Sequence, residues 1–399
     1  MMVGTYDAII IGGGACGLMC AAHAGLLGKK VLLLERNDKI GAKILISGGG
    51  RCNYTNIGTS VSNFISENPH FLHSVFKQWT VEDTIDFFES YGIKGKEKTL
   101  GQLFPETNKA KDIVAVFSRI LYETGQDIAL STLVKSIVKD ADGFIIKVES
   151  LKGEYEYHTQ KVVIASGGLP VQKLGASDFG LRIAKQFGLE VVKAAPALVP
   201  LTITGKDADW YMSLAGNSVF SKVSITDISF EENILFTHWG LSGPAILQIS
   251  SYWKPGQEIT IDLLPKFDLD NLIKQERQSG GKRLVSQLLH DYFSRKLVDA
   301  LGKFLALDIK IASLSKADAK LIVDMVHCFK VKPAGDKGYD KAEVMRGGVS
   351  TAELNNKTLE SKKIPGLYFG GETVDVTGWL GGYNFQWAWA SGYVIAQDL

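Results

Sequence analysis

The residues best suited to chemistry are glycines, small polar residues and carboxylates gathered near the two ends of the chain. Gly12, Gly14 and Gly17 fall at the first, third and sixth positions of a Gly-x-Gly-x-x-Gly pattern, with Gly13, Ala15 and Cys16 filling it. Gly12 allows a tight turn, Gly14 lets the backbone approach a pyrophosphate, and Gly17 lets helix and strand pack closely. Glu35 follows about twenty residues on, where a carboxylate accepts bonds from a ribose hydroxyl, and Arg36 adjoins it. A second stretch, Ser47-Gly48-Gly49-Gly50-Arg51-Cys52-Asn53, is too glycine-rich for a stable helix or strand. It can lie against a flat or charged ligand, with Lys43 and Arg51 available to neutralise phosphate. Ala165-Ser166-Gly167 ends an apolar run in small residues and permits another close approach.

These residues need elements to position them. Ala8-Ile9-Ile10-Ile11 has the uninterrupted apolar character of a strand buried on both faces. A small-residue helix is predicted over Leu18–Leu27 and a second buried strand over Val31–Leu34, which makes the glycine pattern part of a β-α-β unit. The unpaired N–H groups at the helix start suit phosphate. Further on, helices are expected between Pro69 and Tyr91 and over Lys111–Tyr122. Three strands within 128–158 form a small meander, and Gly101–Pro105 reads as a turn exposing two apolar residues. A buried strand is expected over Lys161–Gly168, and a helix over Gly180–Phe187 closes at Gly188.

Past Pro196 the pattern turns to β alternation, clearest in Ile259, Ile261 and Leu263. Thr237-His238-Trp239-Gly240-Leu241-Ser242-Gly243-Pro244 lies inside it, with Pro244 suited to the first turn of a helix. His238 and Trp239 read equally well as substrate-facing residues or as a structural turn. Residues 269–329 are mainly helical and collect Lys274, Arg277, Lys282, Arg283, Arg295, Lys296, Lys303 and Lys310. Interleaved acids make this a solvated face rather than an RNA surface. The chain then returns to α/β character. Gly371 and Glu372 follow a strand at Leu367–Phe369, and Gly382-Tyr383-Asn384-Phe385 opens a last helix. Two helix N-termini, one from each end of the sequence, suit a long ligand with two polar ends. The first takes a pyrophosphate and the second a ring that becomes negative on reduction. FAD fits that description better than NAD.

Composition narrows the field. A 399-residue chain with 45% hydrophobic and 22% charged residues is a globular protein of two or three structural units. A formal net charge of +1 gives no global reason for a nucleic-acid or membrane partner. Cys16, Cys20, Cys52 and Cys328 form no Cys-x-x-Cys pair, so neither a zinc ribbon nor disulfide reduction is indicated. With no secretion signal and no membrane span, the expected setting is cytoplasmic.

The glycine pattern with Glu35, the Ser-Gly-Gly-Gly-Arg-Cys-Asn-x-Thr-Asn loop, Thr-His-Trp-Gly-Leu-Ser-Gly-Pro and Gly-Glu-x-x-Asp-Val-x-Gly-x-x-Gly-Gly-Tyr-Asn-Phe-Gln resemble those of the aminoacetone-oxidase-like family of bacterial FAD-binding proteins. The resemblance covers essentially the whole chain. It implies an α/β fold: a FAD-binding Rossmann-type domain split by an inserted β-barrel domain that contains a helical subdomain. The boundaries would be 1–195 and 346–399 for the FAD domain, 196–265 and 328–345 for the barrel, and 266–327 for the helices. It also implies cofactor contacts from Gly12, Gly14, Gly17, Glu35, Lys43, Ser47, Arg51, Asn53, Val134, Ala165, Gly167, Glu372 and Gly382–Phe385. The intervening Gly13, Ala15, Cys16, Arg36, Gly49, Gly50, Cys52, Ser166 and Gly371 line the same segments.

The function expected is a FAD-dependent oxidoreductase acting on a small organic substrate, by amine oxidation or enone-type reduction, with NAD(P)H as a transient electron donor. Nucleic acid is not expected as a partner. No residue is assigned as catalytic acid or base; His238, Tyr383 and Lys43 are candidates. The alternatives are a non-catalytic flavin module whose basic helical insert contacts RNA or protein, and an NAD-only dehydrogenase.

Overall fold

A computed structural model of the chain describes residues 6–206 and 208–399. They form two compact units, one comprising residues up to 195 together with 344–399, the other residues 196–343. The predicted β-α-β unit opens the first. Strand β1 (Ala8–Ile11) is buried throughout, helix α1 runs Ala15–Leu26, and strand β2 (Val31–Leu34) lies parallel to β1. Strands β3 (Asp127–Ala129), β4 (Val162–Ile164) and β5 (Leu367–Phe369) complete a five-stranded sheet in the order β5-β4-β1-β2-β3. Every pairing in it is parallel. Such sheets are covered on both faces, which is why their strands read as continuous apolar runs. The register places Ile10 beside both Leu33 and Val163, so residues from three distant segments share one core layer.

Helix α2 (Ala42–Gly50) follows β2, and helix α3 (Tyr383–Asp398) ends the chain. A Cβ on Gly392 of α3 would sit 2.4 Å from the Cys16 carbonyl oxygen of α1, so only glycine lets the two helices approach this closely. Antiparallel strands at 132–140, 143–150 and 153–159 form the expected meander. Gln102–Pro105 departs from expectation. It is a strand paired with Gly95–Glu97, and its Leu103 and Phe104 are buried. The local Gly and Pro signals favoured a turn, and tertiary pairing overrode them.

The second unit holds a seven-stranded sheet in the order 329–331, 259–262, 218–225, 228–237, 240–242, 201–202, 335–336, antiparallel throughout. Helices Leu269–Gln278, Val285–Leu289, Arg295–Leu301 and Lys316–His327 account for the helical stretch. Several of its bases meet acids four residues away: Lys274 with Asp270, Arg295 with Asp299, and Lys320 with Asp324. No described helix is long and apolar enough to cross a membrane.

Candidate dinucleotide site

The carboxyl ends of β1, β2, β4 and β5 gather the predicted site residues, as open parallel sheets require. Gly12 has φ +112°, and a Cβ there would lie 2.4 Å from the Ala165 carbonyl oxygen. On Gly17 it would lie 1.9 Å from the Gly12 carbonyl oxygen. A Cβ on Gly14 would meet nothing within 4 Å. Gly12 and Gly17 thus serve the fold itself, whereas Gly14 faces open space at the N-terminus of α1, where backbone N–H groups are directed.

Glu35 is buried and held from both sides. Its Oε2 accepts from Gly13 N–H at 2.7 Å, and its Oε1 accepts from the Asn37 N–H and Nδ2, each at 2.8 Å. Two carboxylate oxygens carry about four lone pairs, so capacity remains for a ribose hydroxyl. Arg36 turns away from the glycine turn and donates from Nη1 to the Gly175 carbonyl at 2.8 Å. Val134 is buried on the strand 132–140, whose first residue, Thr132, donates its N–H to the Glu35 carbonyl.

Lys43 pairs with Glu372, Nζ to Oε2 at 2.8 Å, and Glu372 Oε1 accepts from Met345 N–H at 2.9 Å. The amine is therefore matched to a carboxylate just beyond β5. A Cβ on Gly168 would meet the Glu372 carboxyl carbon at 3.0 Å, which ties the Ala165-Ser166-Gly167 end of β4 to the same point. Gly371 and Cys16 are adjacent: the Gly371 N–H donates to Ser391 Oγ, and that hydroxyl donates to Cys16 Sγ. Ala15 lies on the same first turn of α1.

A second group forms around the start of α3. Ser47, Gly48 and Gly49 depart from helical dihedrals within α2, with Gly48 at φ 55° and Gly49 at φ 68°. Gly50 and Cys52 also have positive φ, so the chain turns back on itself into Asn53 and Thr55. A Cβ on Gly382 would sit 2.4 Å from the Thr55 carbonyl oxygen and 2.9 Å from Asn53 Oδ1. Asn384 clamps the preceding turn, accepting from Gly378 N–H and donating to the Gly378 carbonyl. Tyr383 is buried, and Phe385 stacks on Trp389 with centroids 5.5 Å apart. Arg51 donates from Nε to the Gly48 carbonyl and lies over the Phe104 ring.

Three residues that spacing alone did not single out hold this group together. Asn56 Nδ2 donates to the carbonyls of Leu100 and Gly381, and Thr55 Oγ1 donates to Gln386 Oε1 at 2.7 Å. The signal was present in the Asn-x-Thr-Asn and Tyr-Asn-Phe-Gln strings, but not the pairing between them.

Of the five buried side-chain polar atoms without a protein partner among the described residues, Asn53 Oδ1 and Ser166 Oγ belong to predicted site residues, the others being His23 Nε2, Tyr54 Oη and Asn217 Nδ2. Buried polar groups without partners are uncommon and call for one. With the open space at Gly14, the residues present leave room and unused polar capacity for a polar dinucleotide. Burial pushes the Cys16 and Cys52 thiols up to about 12, so neither is a thiolate nucleophile near neutrality. No metal-binding group of three or more His, Cys, Asp or Glu occurs among the described residues. His238 and Trp239 are exposed on a two-residue hairpin of the second unit. The Trp239 carbonyl accepts from Ile203 N–H, and Lys337 Nζ lies 5.2 Å from the Trp239 ring centroid.

Known proteins bear on this arrangement. The chain is 43% identical to the ribosomal RNA dihydrouridine synthase of Escherichia coli, over 99% of this chain and 98% of that protein. It is 29% identical to the 3-dehydro-bile acid delta(4,6)-reductase of Clostridium scindens, over 97% of each chain. In fold it is similar to a flavocytochrome c3 fumarate reductase in its open conformation, with TM-score 0.49 and 18% identity, covering 100% of this chain and 78% of that one.

Two expectations are corrected. Excluding nucleic acid rested on a net charge near zero and on the acids interleaved among the bases of residues 269–329, and the ribosomal RNA enzyme among the relatives overturns it. Net charge describes the far field, whereas RNA is also held by local base stacking and single phosphate contacts. The aminoacetone-oxidase-like assignment gives way as well, because motifs that hold a dinucleotide carry no information about the substrate. Residues 6–398 match the HI0933-like protein Rossmann domain: the chain belongs to that family, as a FAD-binding flavoprotein of the oxidoreductase class.

Proposed function

We propose that this protein reduces a uridine of ribosomal RNA to dihydrouridine with FAD as cofactor. The observation that carries the reading is the 43% identity, spread over 99% of the chain, to an enzyme named for that reaction. A second relative, named as a bile-acid delta(4,6)-reductase, supports the same class of chemistry: reduction of a carbon–carbon double bond conjugated to a carbonyl. Uracil presents that pattern. Its C6 is the electron-poor β-carbon of the C4 carbonyl, so hydride adds at C6 and a proton at C5, leaving C5–C6 a single bond.

Reduced FAD, regenerated by a donor such as NAD(P)H, would supply the hydride for C6, and water would supply the proton for C5. The chain's residues bind and orient. Gly12–Gly17 and the start of α1 would hold the pyrophosphate, and Glu35 would accept from the adenosine ribose. The Lys43–Glu372 pair at the end of β5 would face the ribityl chain, its charges balanced so that the site suits neutral hydroxyls. The Ser47–Asn53 loop and the Gly382–Tyr383 start of α3 would flank the ring system, with Asn53 Oδ1 finding a donor there. A base stacked in duplex RNA cannot reach such a ring, so the target uridine must be unpaired or extruded.

Ribosomal RNA from a strain lacking the gene tests this, analysed by nucleoside mass spectrometry. One dihydrouridine present in the parent should be missing, and the purified yellow protein with NADPH should restore it. Unchanged dihydrouridine in the deletion strain would sink the reading.

A further inference from the structure

A single-stranded RNA substrate needs stacking surfaces and phosphate contacts besides the reacting centre, and the second unit carries such a surface. A groove of about 220 Å³ is lined by Phe220, Lys266, Phe267, Tyr292 and Ser294 among others. Phe220 is 37% exposed and Phe267 is 49% exposed, so both rings are open to a ligand. Phe220 points outward because β alternation on 218–225 sends Ser221 and Val223 to the core and leaves residues 220 and 222 outside. Phe267 stands on the turn between the strand 259–262 and the helix Leu269–Gln278, with its ring 4.8 Å from that of Tyr292.

The charge in the groove is positive. Lys266 Nζ lies 4.2 Å from the Phe220 centroid and has no carboxylate within ion-pairing distance among the described residues. The neighbouring acids are otherwise engaged. Asp268 caps the following helix, accepting from Asn271 N–H and Nδ2, and Asp291 pairs with Arg283 at 2.8 Å. Lys222, by contrast, stands between Glu231 and Asp262 on the neighbouring strands. One unneutralised ammonium beside two exposed rings is complementary to one nucleotide, with the base on the aromatic faces and the phosphate on the amine.

We infer that this groove is a docking subsite for an unpaired nucleotide of the RNA substrate, with Phe220 and Phe267 stacking the base and Lys266 contacting the phosphate. The inference rests on the ribosomal RNA reading above, and it makes these residues binding rather than catalytic.

The test uses the intact flavin-loaded protein and a short fluorescent oligouridine RNA, titrated at several salt concentrations. Phe267→Ala and Phe220→Ala should each weaken binding about fivefold or more, the loss of one base–aromatic stack. Lys266→Gln should lower the slope of log affinity against log salt by about 0.7, the value for one phosphate contact on a single strand. The flavin spectrum and thermal midpoint of each variant report that the fold is intact. Dihydrouridine formation on ribosomal RNA should fall through KM, with kcat retained. Wild-type affinity and salt slope in all three folded variants would overturn the subsite while leaving the activity standing. A wild-type protein that neither binds the RNA nor forms dihydrouridine would remove both readings together.

Discussion

Three glycines in one motif fall into two classes by what surrounds them. Gly12 and Gly17 are required by protein atoms: their Cβ positions fall 2.4 Å and 1.9 Å from backbone oxygens. Gly14 has no protein atom within 4 Å of its Cβ position, so no protein contact demands glycine there, and on the proposed reading the cofactor would do so. The two classes are separable by experiment. Gly14→Ala should fold with an unchanged apoprotein melting temperature and lose FAD, measured as the flavin-to-protein absorbance ratio. Gly12→Ala should lower the melting temperature of the apoprotein itself, because a Cβ at φ +112° meets the Ala165 backbone. Equal flavin content in wild type and Gly14→Ala would contradict the assignment of that space. The glycine spacing was legible in the sequence; the division of labour was not, since it depends on where Ala165 lies.

At the scale of elements, the joint of α1 with the segments around it carries a pH dependence. His23 on α1 is ringed by Trp79, Phe87 and Tyr393, with centroids at 5.1, 5.2 and 4.9 Å. Its Nε2 is buried without a partner among the described residues, and burial lowers its pKa from 6.5 to about 4. The folded state therefore resists protonation that the unfolded chain accepts. Stability is complete above pH 6.5 and is lost progressively as pH falls from 6.5 toward about 4. A shift of that size corresponds to about 3 kcal/mol. Melting curves across this window should show His23→Leu flattening the profile while keeping the apolar packing. A parallel decline in both proteins would assign the acid sensitivity to other groups; Asp375 is not among them, because burial raises its pKa and so favours the fold as pH falls. The helix that carries His23 was visible beforehand in the small-residue run Leu18–Leu27. Its aromatic cage was not, because Trp79, Phe87 and Tyr393 arrive from three separate segments.

At the scale of the whole molecule, the first unit is closed by residues from both ends of the chain. β5 and α3 complete a sheet and a helix layer begun by β1 and α1, so the residues after 344 belong to the fold opened before 35. A ligand held by both segments should therefore stabilise the unit by linkage. With FAD at a hundred times its dissociation constant the gain is about 2.7 kcal/mol. Stripping the flavin should lower the melting temperature in a way that added FAD reverses, and a flavin-independent midpoint would mean that FAD does not bridge the two segments. The predicted α/β frame follows from this same arrangement.

Continuous apolar runs, the glycine pattern and the late return to α/β character were enough to read the Rossmann unit and its FAD from the sequence alone, because burial on both faces and close backbone approach leave local signatures. The strand at Gln102–Pro105 was hidden by turn-like composition, since it gains its structure from pairing with Gly95–Glu97. The Lys43–Glu372 pair, the hold of Asn56 on Gly381 and the burial of Asn53 Oδ1 were decided only by tertiary structure. Each joins residues hundreds of positions apart, or seals an atom with neighbours from another segment, and no local spacing records such a meeting.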